Sequence, residues 1–107
     1  MATKNIKILD EESFDEFISK GNAVIDFYAD WCGPCKVMAP EFESAASELA
    51  SKVKFGKVDV DKNQGLAQRF QVMSIPTTIL FKNKEQVERK SGALPKKYLL
   101  ELAEKNF

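Results

Sequence analysis

The two cysteines of the chain are separated by two residues, in the run Trp31-Cys32-Gly33-Pro34-Cys35-Lys36. A dithiol at this spacing can close into a disulfide and reopen, so it can carry two electrons. The run follows a strongly apolar segment and opens a helical pattern, which favours a thiol–disulfide redox protein. A zinc site would need two more Cys or His ligands than the chain contains, so a metal shared between two copies is the only zinc alternative. A pair of structural cysteines is the other alternative.

Cys32 falls between the end of a predicted strand and the start of a predicted helix, and this placement favours a reactive thiolate. The free N–H groups and the dipole at a helix N-terminus stabilise an anion, and Lys36 adds positive charge. Cys35 lies about one turn further into the helix, so we expect it to be the more buried of the two. We predict that Cys32 attacks and that Cys35 resolves the mixed disulfide. Gly33 permits a tight approach to a partner, and Pro34 suits a first helical turn.

A single carboxylate, Asp26, interrupts the most apolar predicted strand, residues 23–29. A buried carboxyl group has a raised pKa, because desolvation penalises its charged form, and it can exchange a proton near neutral pH. Lys57, on the predicted neighbouring strand, is within reach of it. The sequence also allows Asp26 to be an edge-facing or a hydrogen-bonded polar residue, and Lys57 to be a solvated strand residue.

The segment Ile75-Pro76-Thr77 precedes a further predicted strand. Proline has no N–H to give to a strand ladder, so one interpretation is a loop that simply ends before the strand. The other interpretation is a cis proline held at a site, because a cis X-Pro bond marks a tight and specified geometry. The local sequence does not decide between the two.

The remaining apolar pattern predicts alternating strands and helices in the order βαβαβαββα. Strands are expected at residues 4–9, 23–29, 53–60, 77–81 and 86–91. Helices are expected from a start at residues 10–13 through residue 18, over residues 35–51, from a start after residues 61–63 through residue 70, and after the proline at 95. Asp10 is expected to cap the first helix, and Pro95 to occupy the first position of the last. The first half of this order builds a parallel sheet with helices on both faces. The last two strands are expected to form an antiparallel hairpin.

The composition is that of an ordinary soluble protein, with 44% apolar and 30% charged residues. A length of 107 residues suits one core and is too short for two, so we expect a single domain over residues 1–107. Basic and acidic residues number 16 each, although residues 1–50 carry 4 basic and 10 acidic residues and residues 51–107 carry 12 and 6. No basic run is longer than a pair, so no nucleic-acid partner is expected.

Targeting and metal signals are also missing from the sequence. No segment has the length of a signal peptide core or approaches the roughly 18 apolar residues of a membrane span. We therefore expect a cytoplasmic location and no membrane partner, and a permanent structural disulfide is unusual there. The chain has no histidine, which excludes Ser-His and Cys-His hydrolases and most catalytic zinc sites. We expect no metal and no cofactor beyond the dithiol.

These residues together resemble the thioredoxin family over almost the whole chain, from about Ile6 to Ala103. The run at residues 31–36 matches the active-site motif of the family completely. The other matches are separate motifs in the family's order and spacing: Asp26 as the buried acid, Lys57 as its neighbour, Pro40 as the proline inside the helix, Ile75-Pro76-Thr77 as the cis-proline loop, and Gly92-Ala93 as the glycine segment of the docking surface.

Three positions depart from the family's pattern. Tyr28 stands where tryptophan is usual, and Ser74 stands where glycine is common. The hairpin at Asn83 and Lys84 lacks its usual glycine, so one of these two residues is expected to take a positive φ. None of the three departures touches the dithiol.

The resemblance implies the thioredoxin fold, an α/β architecture with a central mixed β-sheet of five strands in the order 1-3-2-4-5, flanked by four helices. It implies a general protein-disulfide reductase, regenerated by a thioredoxin reductase and monomeric by default. Target proteins would lay an extended segment against the backbone near Ile75. The expected contact surface consists of Trp31, Gly33, Pro34, Ile75, Pro76, Gly92 and Ala93.

The dipeptide Gly33-Pro34 between the cysteines indicates the direction of electron flow. A histidine there would stabilise the reduced thiolate and make the pair more oxidising, and this chain has none. The sequence therefore favours a reductant. A dedicated donor to one partner, a non-catalytic subunit of a larger assembly and a chaperone-like peptide binder remain alternatives. Serine at both Cys32 and Cys35 would abolish the activity of a reductant and spare that of a scaffold.

Overall fold

A computed structural model describes residues 4–107 of the chain. The strands are β1 (Ile6–Leu9), β2 (Asn22–Tyr28), β3 (Lys54–Asp59), β4 (Thr77–Lys82) and β5 (Glu85–Ser91). The helices are α1 (Phe14–Ile18), α2 (Gly33–Leu49), α3 (Gln64–Arg69) and α4 (Lys96–Asn106). The predicted element order is confirmed, and the main shift is that α2 begins two residues earlier than expected.

The strands form one sheet in the order β1-β3-β2-β4-β5, as the family resemblance implied. β3 runs parallel to β1 and β2, whereas β4 is antiparallel to β2 and to β5. β2 is therefore the central strand. Tyr28 at its end pairs with Asp59 at the end of β3, and Phe27 pairs with Thr77 at the start of β4. The ends of β2 and β3 and the start of β4 therefore lie side by side, at the edge of the sheet where the chain leaves β2 towards the cysteines.

The apolar run of β2 packs against helices on both faces of the sheet, as a nearly continuous apolar strand predicts. Val24 belongs to a core cluster with side chains of α2 and α4, such as Phe42. Its neighbour Ile25 belongs to a second cluster with side chains of α1 and α3, such as Phe14. Because successive strand residues point to opposite faces, Asp26 lies on the same face as Val24, beneath α2 and α4.

Two helix starts depend on carboxylates. The Asp10 carboxylate accepts the backbone N–H groups of Glu12 and Ser13 at 3.0 and 2.8 Å in the turn before α1. The N-cap residue of α1 is Ser13 rather than the predicted Asp10, so Asp10 stabilises the turn that leads into the helix. Pro95 was expected inside the last helix but is its N-cap residue, because its ψ of 158° is extended. The first helical N–H is that of Lys96, and it donates to Glu41 Oε1 at 2.7 Å.

The turn between β4 and β5 places two non-glycine residues at positive φ, Asn83 at 49° and Lys84 at 78°. The sequence predicted one such residue, and both central positions require it because a two-residue hairpin turn of this type has positive φ at each. Asn83 forms two hydrogen bonds with Gly21: its N–H donates to the carbonyl at 2.9 Å, and its Oδ1 accepts the Gly21 N–H at 2.8 Å. These bonds offset the backbone cost.

Gly56 in β3 leaves no room for a side chain. A Cβ there would lie 2.7 Å from Leu9 Cδ1, 3.1 Å from Phe17 Cε2 and 3.2 Å from Ile25 Cδ1, and Leu9 is only 1% exposed, so it cannot swing into solvent. Gly56→Ala should lower the free energy of unfolding by about 1–3 kcal/mol, the usual cost of an overpacked core, in urea titrations. Gly33→Ala, where nothing lies within 4 Å of the added Cβ, is the matched control. Equal stability of the two variants would contradict the prediction.

Candidate active site

Cys32 is the N-cap residue of α2, with an extended backbone (φ −85°, ψ 115°). Its Sγ accepts the backbone N–H of Cys35 at 3.2 Å, and its own N–H donates to the carbonyl of Ala29 at 3.2 Å. A thiolate at this position meets a free N–H group and the positive end of the helix dipole. The helix start therefore stabilises the charged form of the Cys32 sulfur, as the sequence predicted.

Cys32 and Cys35 form a disulfide, with their Cα atoms 5.2 Å apart. The expectation that Cys35 is the more buried residue is wrong for this state, because each cysteine is 4% exposed. The bond holds both sulfurs in one small cluster with Ala29, against which Tyr28 and Ile75 pack. What distinguishes the two cysteines is their place on α2, since Cys32 precedes the helix and Cys35 lies within its first turn.

The loop before β4 faces the dithiol, and its Ile75–Pro76 peptide bond is cis. The structure thus favours the second interpretation of this segment over a simple loop end. The carbonyl oxygen of Ile75 lies 3.8 Å from Cys32 Sγ. The Gly92 N–H donates to the Pro76 carbonyl at 2.8 Å, and Gly92 adopts a φ of 96°, which favours glycine. Cys32, Ile75, Pro76 and Gly92 are therefore brought together.

Ala93, which follows Gly92 in the chain and is also an expected contact residue, lies further along the same surface. It lines a groove of about 300 Å³ together with Val37 and Met38 of α2 and with Leu94. Val37 is 69% exposed, so this groove extends the apolar surface away from the cysteines. The sequence analysis did not assign Val37 to the site, although its place as an apolar residue two positions after Cys35 was the available signal.

The most exposed apolar side chains in the described part of the chain also lie close to the site in sequence. Trp31 is 69% exposed and Met73 is 92% exposed. The Trp31 indole N–H donates to Asp61 Oδ2 at 2.7 Å, which fixes the orientation of the ring beside the dithiol. The sequence analysis did not identify Asp61 and Met73 as site residues. The signal for Asp61 was its position just after β3, the parallel neighbour of the strand that precedes the dithiol.

Asp26 is fully buried on the central strand, so the alternative of an edge position is excluded. Its two carboxyl oxygens have no hydrogen-bond partner. Burial raises the pKa of Asp26 to about 7, and the positive charge of Lys57 opposes that rise in part. A carboxyl group with this pKa can hold or release a proton near neutral pH.

Lys57 is the register partner of Asp26 on β3 and is only 6% exposed. Its Nζ lies 4.4 Å from the centre of the Tyr28 ring, a cation–π contact. The aromatic residue at position 28 therefore holds the lysine charge above its ring. A cavity of about 140 Å³ is lined by Tyr28, Lys57, Cys35 and Lys36 among others, and it joins the lysine to the second cysteine.

In residues 4–107, no group of three or more His, Cys, Asp or Glu side chains is arranged to hold a metal ion. No helix in that range is both long and apolar enough to cross a membrane. A cysteine pair at a helix N-terminus and opposite a proline loop can exchange a disulfide, and the strand that leads to this pair carries a buried carboxyl group. This site on this sheet defines a thiol–disulfide oxidoreductase.

Comparison with known proteins identifies the family. A family model described as thioredoxin matches residues 5–105. The chain is 43% identical over 101 residues to a thioredoxin of Chlamydia pneumoniae, covering 94% of this chain and 98% of that protein. It is 45% identical over 102 residues to a thioredoxin of Staphylococcus saprophyticus, covering 95% and 97%, and 45% identical over 97 residues to that of Bacillus subtilis, covering 91% and 93%. The chain belongs to the thioredoxin family, and its Cys32–Cys35 pair serves protein-disulfide reduction.

Proposed function

We propose that the chain is a general reductant of protein disulfides, a cytoplasmic monomer with a single domain over residues 1–107, and that a thioredoxin reductase restores its dithiol. The observation that carries this breadth is the surface beside Cys32, where an exposed Trp31 and the Ile75 carbonyl flank the sulfur. A target that pairs with main-chain atoms needs little particular sequence. The dithiol supplies both electrons, so the proposal includes no metal or other cofactor.

The proposed chemistry has two displacements at sulfur. The Cys32 thiolate attacks one sulfur of the target disulfide, a mixed disulfide forms, and the other target sulfur leaves as a thiolate that takes a proton from water. The Cys35 sulfur then attacks Cys32 Sγ, the Cys32–Cys35 disulfide forms, and the first target sulfur leaves. The target gains two electrons as two thiols, and the dithiol is oxidised by the same two electrons.

Asp26 is proposed to accept the Cys35 proton in the second displacement. Its pKa of about 7 suits a base that must be ionised part of the time at neutral pH and must still hold the proton. Lys57 stabilises the carboxylate form by its positive charge. The cavity lined by Cys35 and Lys57 supports this role, because it joins the second cysteine to the lysine that is the register partner of Asp26.

Target docking is proposed to use an extended segment laid along the loop before β4. The contact surface comprises Trp31, Gly33, Pro34, Ile75, Pro76, Gly92 and Ala93. Open space around Gly33, with nothing within 4 Å of an added Cβ, supports close approach of a partner backbone. The hydrogen bond from Gly92 to Pro76 supports a loop pair that is already in position before the target arrives.

The reduction potential of the Cys32–Cys35 pair tests whether the chain is a reductant. Thioredoxins themselves set the reference value of about −270 mV, against about −120 mV for a strong dithiol oxidase, and we expect a value near the first in equilibration with glutathione buffers. Pro34→His is the comparison variant, and it should be more oxidising because the added histidine stabilises the reduced thiolate. A wild-type potential near the oxidase value would overturn the proposal.

A further inference from the structure

Thr78 of β4 is the register partner of Asp26 across the antiparallel pair of β2 and β4. It is fully buried, and its Oγ1 has no hydrogen-bond partner. Four buried side-chain atoms in residues 4–107 lack a partner, and three of them are Thr78 Oγ1 and the two carboxyl oxygens of Asp26. Buried polar side-chain atoms are mostly hydrogen-bonded in native proteins, so adjacent unpaired groups on neighbouring strands require an explanation.

The register places the Thr78 hydroxyl within reach of the carboxyl group. Directly opposed residues of an antiparallel pair point to the same face, with Cβ atoms about 4.5–5.5 Å apart. A threonine has three staggered positions for its hydroxyl, and rotation about the Cα–Cβ bond exchanges the hydroxyl with a methyl group of similar size. The rotation therefore brings Oγ1 towards Asp26 without changing the volume that the side chain fills.

Several other side chains face Asp26. Lys57 lies on β3, and its Nζ is held over the ring of Tyr28. Tyr28 lies on the same face of β2 as Asp26, two residues further along the strand. Asp59, two residues after Lys57 and on the same face of β3, is the register partner of Tyr28.

The helices that cover this face contribute the Cys35 sulfur, apolar side chains such as Met38, and the partly buried Tyr98 of α4. Thr78 is thus the neutral hydrogen-bond donor that β4 presents to the carboxyl group.

We propose that Thr78 is a positioning residue whose hydroxyl donates a hydrogen bond to the Asp26 carboxylate when that group takes up the charge. The inference rests on the proposed role of Asp26 as the base for Cys35. A hydrogen bond to the charged form favours that form, so Thr78 lowers the pH at which Asp26 becomes an effective base. It thereby sets the pH range in which the mixed disulfide is resolved.

The experiment compares Thr78→Val and Thr78→Ser in the full chain. The carboxyl carbon of Asp26 is titrated by NMR in the disulfide form, where no thiol titrates nearby. A charge-assisted hydrogen bond corresponds to about one pH unit, so Thr78→Val should raise the midpoint by that amount and Thr78→Ser should retain the wild-type midpoint. An unchanged midpoint in Thr78→Val, or the same rise in both variants, would overturn the hydrogen bond.

The rate of mixed-disulfide resolution from pH 6 to 9 gives the second measurement. At the wild-type midpoint half of Asp26 is ionised, and a midpoint one unit higher leaves about a tenth ionised at that same pH, so Thr78→Val should resolve about fivefold more slowly there. In an Asp26→Asn background the same substitution should not change the rate profile. If Asp26→Asn alone leaves the wild-type profile intact, the proposed base role fails, while the NMR midpoint still decides the Thr78–Asp26 bond.

Discussion

Replacement of Cys35 by serine is expected to turn the protein from a catalyst into a trap for its targets. The Cys32 thiolate still attacks, but no neighbouring sulfur can release the mixed disulfide. Well-oriented intramolecular groups act with effective concentrations of up to about 10⁵–10⁸ M, so turnover should fall by more than about a thousandfold when only external thiols remain. Multiple-turnover reduction of a disulfide-bonded protein, with the adduct detected by mass spectrometry, measures both effects.

The matched control is Cys32→Ser, which removes the N-cap sulfur instead. It should abolish turnover without accumulating an adduct, because Cys35 lies within the first turn of α2 rather than at its free end. The two cysteines are equally buried in the disulfide, so the expected order of attack rests on the helix terminus, where Cys32 is the N-cap residue. An adduct on Cys35 in this variant, or sustained turnover by Cys35→Ser, would contradict the assigned order of attack.

The chain's local patterns predicted the elements and the antiparallel pairing of the last two strands, but not the order of the strands in the sheet. The apolar run around Val24 correctly indicated a strand buried on both faces, because such a strand has apolar residues at consecutive positions. The strand order came from the family resemblance instead. Side-chain periodicity identifies the face on which a residue lies, whereas register depends on loop geometry between distant segments.

Contacts between distant segments of the chain also account for the site residues that the sequence did not predict. Cys32 and Cys35 could be assigned from their own neighbours in sequence, whereas for Asp26 the local sequence left alternatives open and the family resemblance indicated the buried acid. The bond from Trp31 to Asp61 and the pairing of Thr78 with Asp26 join residues far apart in the chain. The equal burial of the cysteines was also beyond reach, because it follows from the closed disulfide rather than from their positions on the helix.

Asp26→Asn should stabilise the protein at alkaline pH and should change its stability far less at acid pH. The pKa of Asp26 is 3.8 in its ordinary environment and about 7 in the fold. Between these values the folded protein holds a proton that the unfolded chain has released, so stability falls as pH rises through this window. At 1.36 kcal/mol for each pKa unit, the loss reaches about 4 kcal/mol above pH 7. Asparagine cannot ionise, so the free energy of unfolding of the variant does not fall in this way as pH rises.

Urea titrations at pH 4 and at pH 8 measure the difference, with the exposed Asp30→Asn as a control that removes a carboxylate without removing a buried one. The free energy of unfolding of Asp26→Asn should exceed that of the wild type at pH 8 by about 4 kcal/mol more than at pH 4. A constant difference at the two pH values would mean that Asp26 ionises normally in the fold. If Asp26 accepts the Cys35 proton as proposed, the same substitution should also slow resolution of the mixed disulfide, because asparagine cannot act as a base.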